Sequence, residues 1–389
     1  MKKQFFYAAL FAMGLTMTAT SCSDDDDNDN GGQVVVVDTH NIDYSASNAQ
    51  SWHNYMTNVA KLLKSDAATL YESWNNSYDG GESFASAFKT HSETSGTTSY
   101  VGCIEQIIDG CCDIASEVGQ TKIGEPYDFW MSKQYEQAVF AVESWYSWHS
   151  RDDYTNNIYS IRNSYYGTRN GEVATTSLSA LVKKSNPTLD TNIKNAIETA
   201  AKAIQAIPQP FRNNIASSET VEAMNACSSL EKILDEDLRG FVQKSAETDL
   251  KTIVEAYVDD VILPTYKDLK EANETLYNDI VAFTTSPSDA AFAKAAQSWI
   301  NARKPWEQSE AFLFGPVDAL GLDPNMDSWP LDQEAIKNML NSGEFNDLNW
   351  TDGDEDDKVE AAQNLRGFHT LEFLLFKDGV PRKVSNSDN

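Results

Sequence analysis

An all-α fold of two packed helical-bundle domains is what this sequence predicts. Apolar residues recur at a spacing near 3.6 over most of the chain. The 11 prolines fall mostly between those periodic stretches rather than inside them. The 389 residues exceed what one core usually organises. Long helices joined by short loops pack as bundles.

Taken in order, the first residues are MKKQFFYAALFAMGLTMTATSC. Lys2 and Lys3 form a charged start and Phe5 to Met17 an apolar stretch, the pattern of a secretory signal at 1–21. Ala19, Thr20 and Ser21 lead into Cys22, which resembles a lipobox with Ala19 where Leu is usual. Cys22 would then carry a lipid that anchors the mature protein to a membrane. The stretch SDDDDNDNGG buries nothing, so 22–37 reads as an acidic, flexible tether. A Ser and acids directly after the lipidated cysteine resemble the signal for export to the outer face. An outer-membrane lipoprotein at the cell surface is therefore expected, the alternative being one facing the periplasm.

Val34 to Val37 is the one strand-like run. Helical periodicity covers 51–74, 102–118, 132–148, 189–207, 221–238, 249–283, 290–314 and 359–376. Pro187 stands where a helix begins, Pro208 and Pro210 follow one, and Ser288 is placed to cap another. The domain boundary falls between Pro208 and Thr248, giving bundles at 38–215 and 216–389. Cys103, Cys111, Cys112 and Cys227 admit either one disulfide or four buried thiols. No CxxC spacing marks a structural zinc site.

The net charge of −29 comes from 59 acidic and 30 basic side chains. That excludes a nucleic-acid partner and suits cations. No Walker loop, strand-borne GxGxxG, GxSxG elbow or HExxH is present.

Three stretches could carry chemistry. In RGFHTLEFLLF, His369 and Glu372 share one helical face, so both could hold one cation, or the Glu could orient the His. Two ligands fall short of a catalytic zinc site, and spacing alone favours a core histidine satisfied by the neighbouring carboxylate. In SWINARKPWEQSEAFLFGP, Trp299, Arg303, Trp306 and Glu310 lie on one stripe, with a kink expected at Pro305. Charge on a tryptophan stripe is costly unless paired or used. An interdomain salt bridge explains it as well as a binding site. In the first half, Glu117, Glu143, Ser144, Ser147, Asp153 and Asn157 crowd short polar side chains into segments rich in Trp and Tyr. They could line a polar pocket, or simply cap helices.

Together these stretches resemble the imelysin family. GFHTLE, 367–372, is similar to that family's GxHxxE motif. WEQSEAFLFGP and DPNMDSWPLD resemble the segment before that motif, and DIASEVG with ESWYSWHSRDDYTNNIYSIRNSYYG resemble its other half. In imelysins the GxHxxE half comes first, so this chain reads as circularly permuted. The resemblance implies two helical domains in the cell envelope with a site between them. It points to iron uptake or to a zinc metallopeptidase. The implied metal ligands are His369, Glu372 and Glu310. The implied ligand-binding residues are Arg303, Trp306, Asp327, Trp329, Glu117, Ser144 and Ser147. His149 is not expected among the ligands. Implied cofactors are iron or zinc, and implied partners are a metal or metal chelate, the membrane through Cys22, and a transport component of the envelope.

Overall fold

The computed structural model describes residues 42–350 and 354–384. The signal, Cys22, the tether, the Val34–Val37 run and the final residues 385–389 lie outside them. Among the described residues the architecture is helical apart from one two-stranded hairpin. None of these helices is long and apolar enough to cross a membrane.

The helix starts follow from local chemistry. Ser288 caps Asp289–Glu307 by accepting from Ala291 N at 3.2 Å, and Asn186 caps Pro187–Ala206 with Pro187 in the first turn. Ser99 and Ser217 do the same for Tyr100–Ser116 and Ser218–Lys232. The Asp289–Glu307 helix runs through Pro305, which has no N–H for the Asn301 carbonyl, and ends two residues later.

Two groups of helices form. In one, Ala49–Asn75, Leu263–Thr285, Asp289–Glu307 and Gly367–Leu375 pack together. In the other, Tyr100–Ser116, Ser150–Tyr166, Pro187–Ala206 and Ser218–Lys232 pack together. Packing therefore crosses residue 215 in both directions: the helix from 49 joins helices from the second half, and the helix from 218 joins those of the first. The groups meet where Asp289–Glu307 touches Ser150–Tyr166. There the short Glu310–Phe312 turn also packs on Tyr100–Ser116 and Ser150–Tyr166.

Several expected helices are interrupted. The stretch 132–148 is helical only at Tyr135–Ala141, and Val142–His149 is a loop. Ser144 and Trp148 take left-handed φ of 52° and 62° there, which a helix cannot accommodate. The stretch 359–376 divides into Asp356–Gln363 and Gly367–Leu375. Gly367 has φ 87°, and a Cβ there would sit 2.4 Å from the Met326 carbonyl oxygen, so only glycine fits. The stretch 290–314 stops being α-helical at Glu307, and 249–283 passes through a π-helical turn at Val258–Ile262. A further π-helical turn, Glu117–Lys122, continues Tyr100–Ser116. Phe376–Lys377 pairs antiparallel with Val380–Pro381, and Asp378 and Gly379 both take positive φ in the turn. All four described cysteines are buried free thiols, so the disulfide alternative is not realised.

Candidate functional site

A buried ionic cluster fills the junction of the two helical groups. Its centre is His369, which is 0% exposed and sits on a helix whose every residue is buried. The helix Gly367–Leu375 that carries it is enclosed on all sides. A cleft of about 370 Å³ lies between Ser150–Tyr166 and Asp289–Glu307, and its lining includes Asp153, Trp299 and Arg303.

Both imidazole nitrogens of His369 face carboxylates. Nε2 lies 3.1 Å from Asp327 Oδ1 and 3.5 Å from Glu143 Oε1. Nδ1 lies 3.3 Å from Glu372 Oε2. The other oxygen of Glu372 accepts from Ser147 N at 2.8 Å and Ser147 Oγ at 2.7 Å. The left-handed turns of the Val142–His149 loop aim Ser147 at Glu372. Glu372 thus fixes the ring from behind, as carboxylates do for metal-bound histidines. The edge of Trp329 meets the ring, with centroids 4.7 Å apart.

Arg303 ties the rest together. Its Nε lies 2.5 Å from Glu307 and 3.5 Å from Asp153, and its Nη1 pairs with Asp327. Its Nη2 stands 3.3 Å from His369 Nε2. Trp306 Nε1 donates to Asp327 Oδ2 at 2.6 Å, and Ser144 Oγ donates to Asp153 at 2.5 Å. Asn157 Nδ2 donates to Glu307. Lys122, only 6% exposed, lies 3.0 Å from Glu143 and 3.6 Å from the half-exposed Glu117. The π-helical turn puts Glu117 and Lys122, five residues apart, on one side.

The electrostatics are lopsided. Burial and Arg303 push His369 toward neutrality, but the hydrogen bonds to Asp327, Glu143 and Glu372 prevail and hold it protonated, well above the usual histidine range. Against its burial, Lys122 and His369 draw Glu143 down to about 2. Burial is likewise outweighed at Asp327, which Arg303 and His369 keep below the usual carboxylate range. Burial wins at Glu307 and Asp323, which rise to about 8 and about 7. It also wins at Glu310, which is raised well above its ordinary value.

Of the residues expected from sequence, the structure brings together His369, Glu372, Arg303, Trp306, Asp327, Trp329, Ser144 and Ser147. Glu310 lies in the cluster but against Glu307 and Asp327, while the group closing on His369 Nε2 is Glu143 and Asp327. Glu117 reaches the cluster only through Lys122. His149 lines the outer cleft. Sequence reasoning missed Lys122 and Glu307. Nothing in local spacing marked Lys122, since five-residue pairing appears only once the π turn is known. Glu307 stood in plain view four residues after Arg303, the ordinary helical ion-pair spacing.

The ligand atoms of Glu143, Asp327 and His369 all lie within 4.8 Å of one another. One nitrogen and two carboxylates are a donor set that iron and zinc both accept. The family model described as Imelysin, whose label is that of a peptidase family, matches residues 26–236 and 262–388. This chain belongs to the imelysin family. An imelysin peptidase from Bacteroides ovatus, known from its crystal structure, is 58% identical, with a TM-score of 0.87 over 89% of this chain and 100% of that one. Iron-regulated protein A of Synechococcus elongatus is 32% identical over 129 residues, which is 33% of this chain and 32% of that protein. The imelysin chain described here therefore aligns with about a third of that curated relative.

Proposed function

We propose that this imelysin binds iron, alone or in a small chelate, at Glu143, Asp327 and His369. The observation that carries this reading is the convergence of those three side chains, from a loop and two separate helices, within 4.8 Å. Glu372, held by Ser147, supports it as the group that orients the imidazole. A relative named as iron-regulated supports the choice of iron. His369 is protonated as the cluster stands, so metal at Nε2 replaces that proton, and affinity rises with pH. In this reading the protein is held at the outer membrane by a lipid on Cys22, faces outward, and hands its cargo to a transport component of the envelope.

The second reading is a zinc metallopeptidase. It is favoured by the same donor set, since three protein ligands with open positions are what catalytic zinc uses, and by the peptidase name of the Bacteroides relative. Stripped protein titrated with iron and with zinc, beside His369→Ala, tests both. Stoichiometric iron binding lost in the variant supports the first reading. Zinc preference with zinc-dependent cleavage of peptides supports the second. Equal binding by wild type and variant overturns both.

A further inference from the structure

One guanidinium reaches every member of the Glu143, Asp327 and His369 triad. Arg303 Nη1 pairs with Asp327 Oδ1, while Nη2 lies 3.3 Å from His369 Nε2 and 4.0 Å from Glu143 Oε1. One of these contacts gains nothing by itself. A guanidinium has donors only, and His369 Nε2 already faces Asp327 and Glu143, so the 3.3 Å approach sets two cationic groups side by side. The surrounding carboxylates hold them there against their repulsion. An arginine needed only for Glu307 and Asp153, which its Nε meets at 2.5 and 3.5 Å, has no use for its tip against an imidazole.

We infer that Arg303 is a tethered cation that fills the space between Glu143, Asp327 and His369 in the metal-free protein, and that an incoming metal ion has to displace it. This rests on the reading of that triad as a metal site. An ion bonded at about 2 Å to Asp327 Oδ1 and His369 Nε2 would stand against both Nη atoms. Guanidinium and metal therefore exclude one another.

The fold has room for the displaced group. Arg303 lines the cleft of about 370 Å³ between Ser150–Tyr166 and Asp289–Glu307, and Asp152 and Asp153 line it too. A rotation toward that cleft keeps the guanidinium beside Asp153 and brings it toward the exposed Asp152, so it leaves the triad without losing every carboxylate. Two consequences follow from the tether. An ion binds only by the margin by which it outcompetes the guanidinium for Asp327, and it loads no faster than Arg303 withdraws. Arg303 is thus a residue that sets the affinity threshold of the site without being one of its ligands.

The test follows uptake of zinc alone from a coloured chelator by wild type, Arg303→Lys, Arg303→Gln and His369→Ala. Lysine keeps the charge but ends short of the triad, and glutamine keeps a donor for Glu307 while removing the charge. Zinc affinity should rise from wild type through Arg303→Lys to Arg303→Gln, by about tenfold or more overall, the scale on which neighbours of metal ligands act. Uptake should quicken in the same order. Without zinc both Arg303 variants should melt below wild type, and saturating zinc should raise their melting temperatures more than that of wild type, because the ion replaces the missing cation. With isotope-labelled arginine in wild type, the Arg303 Nε–H resonance, identified by its loss in Arg303→Lys, should exchange with water faster once zinc is bound. The inference is overturned if Arg303→Lys takes up zinc no more tightly and no faster than wild type, or if zinc leaves the Arg303 resonance unchanged. Where that happens and His369→Ala still abolishes uptake, the metal site stands and only the role of Arg303 falls. If neither wild type nor the Arg303 variants bind zinc, the metal site falls and this inference with it. Should Arg303→Gln not fold, the lysine variant and the resonance decide.

Discussion

The two ends of the Asp289–Glu307 helix do opposite things. Toward its start, Phe292 packs on Phe283 with ring centroids 4.2 Å apart, beside Tyr44 and a run of buried alanines. Toward its end, Arg303 and Glu307 are equally buried but meet charge instead of rings. Trp299 stands between, its ring against Phe376 and its Nε1 donating to the Phe368 carbonyl at 2.8 Å. The first half is stabilised by area removed from water, which tolerates substitution in proportion to volume lost. The second half depends on every charge finding its partner, because removing one member of a buried network leaves the others uncompensated. Area removed from water explains the first half, and the pairing of buried charge explains the second.

That contrast can be broken by substitution. Arg303→Leu should cost the most, about 5 kcal/mol, since it strands Glu307, Asp327 and Asp153 together. Urea unfolding at pH 7 and again near pH 4 checks it: the loss should shrink in acid, where the stranded carboxylates take up protons. Phe292→Ala should cost about 3 kcal/mol and keep that loss at both pH values. If the two variants show the same pH response, the distinction between the halves is wrong.

A subtler expectation concerns wild type. Glu307 and Asp323 titrate at about 8 and about 7 in the fold, above the ordinary carboxylate values of an unfolded chain. Their contribution to stability is complete below those ordinary values and is lost as pH rises through 7 to 8. Glu143 works the other way: drawn down to about 2, it stabilises at neutral pH and ceases to as pH falls toward 2. The melting temperature should therefore decline from about pH 5 to about pH 8, and Glu307→Gln should flatten that decline in a calorimetric series. The smallest effect is at the helix start, where Ser288→Ala removes one cap and should cost about 1 kcal/mol at every pH.

The same two halves explain what could be read in advance. The apolar half follows a 3.6-residue rhythm, so its helix, its cap at Ser288 and its buried face are legible from spacing. Arg303, Trp306, His369 and Glu372 were also legible, because polar groups on an apolar stripe are conspicuous. Their partners were not. Glu143 and Ser147 lie more than two hundred residues from Glu372 in sequence and are aimed by left-handed turns at Ser144 and Trp148 that no periodicity announces. The break at Gly367 was hidden for a similar reason: the motif glycine is required by the Met326 carbonyl, a neighbour in space alone. The Asp378–Gly379 hairpin, by contrast, carried an ordinary turn signal that helical periodicity on its near side obscured.

The Phe376–Pro381 hairpin also sets when the site can exist. Gly379 N donates to the Tyr146 carbonyl at 2.9 Å, and its missing side chain leaves room for the Trp148 ring, which a Cβ would approach to 2.4 Å. The loop that delivers Glu143 and Ser147 is thus latched by a residue made more than two hundred positions later. During synthesis, the ribosome releases the imidazole, its supporting carboxylate and the latch from one short stretch, His369 to Gly379. Until that point Lys122, Glu143 and Asp153 stay hydrated and unassembled. A partly made chain would hold its helices before it assembled the charged junction.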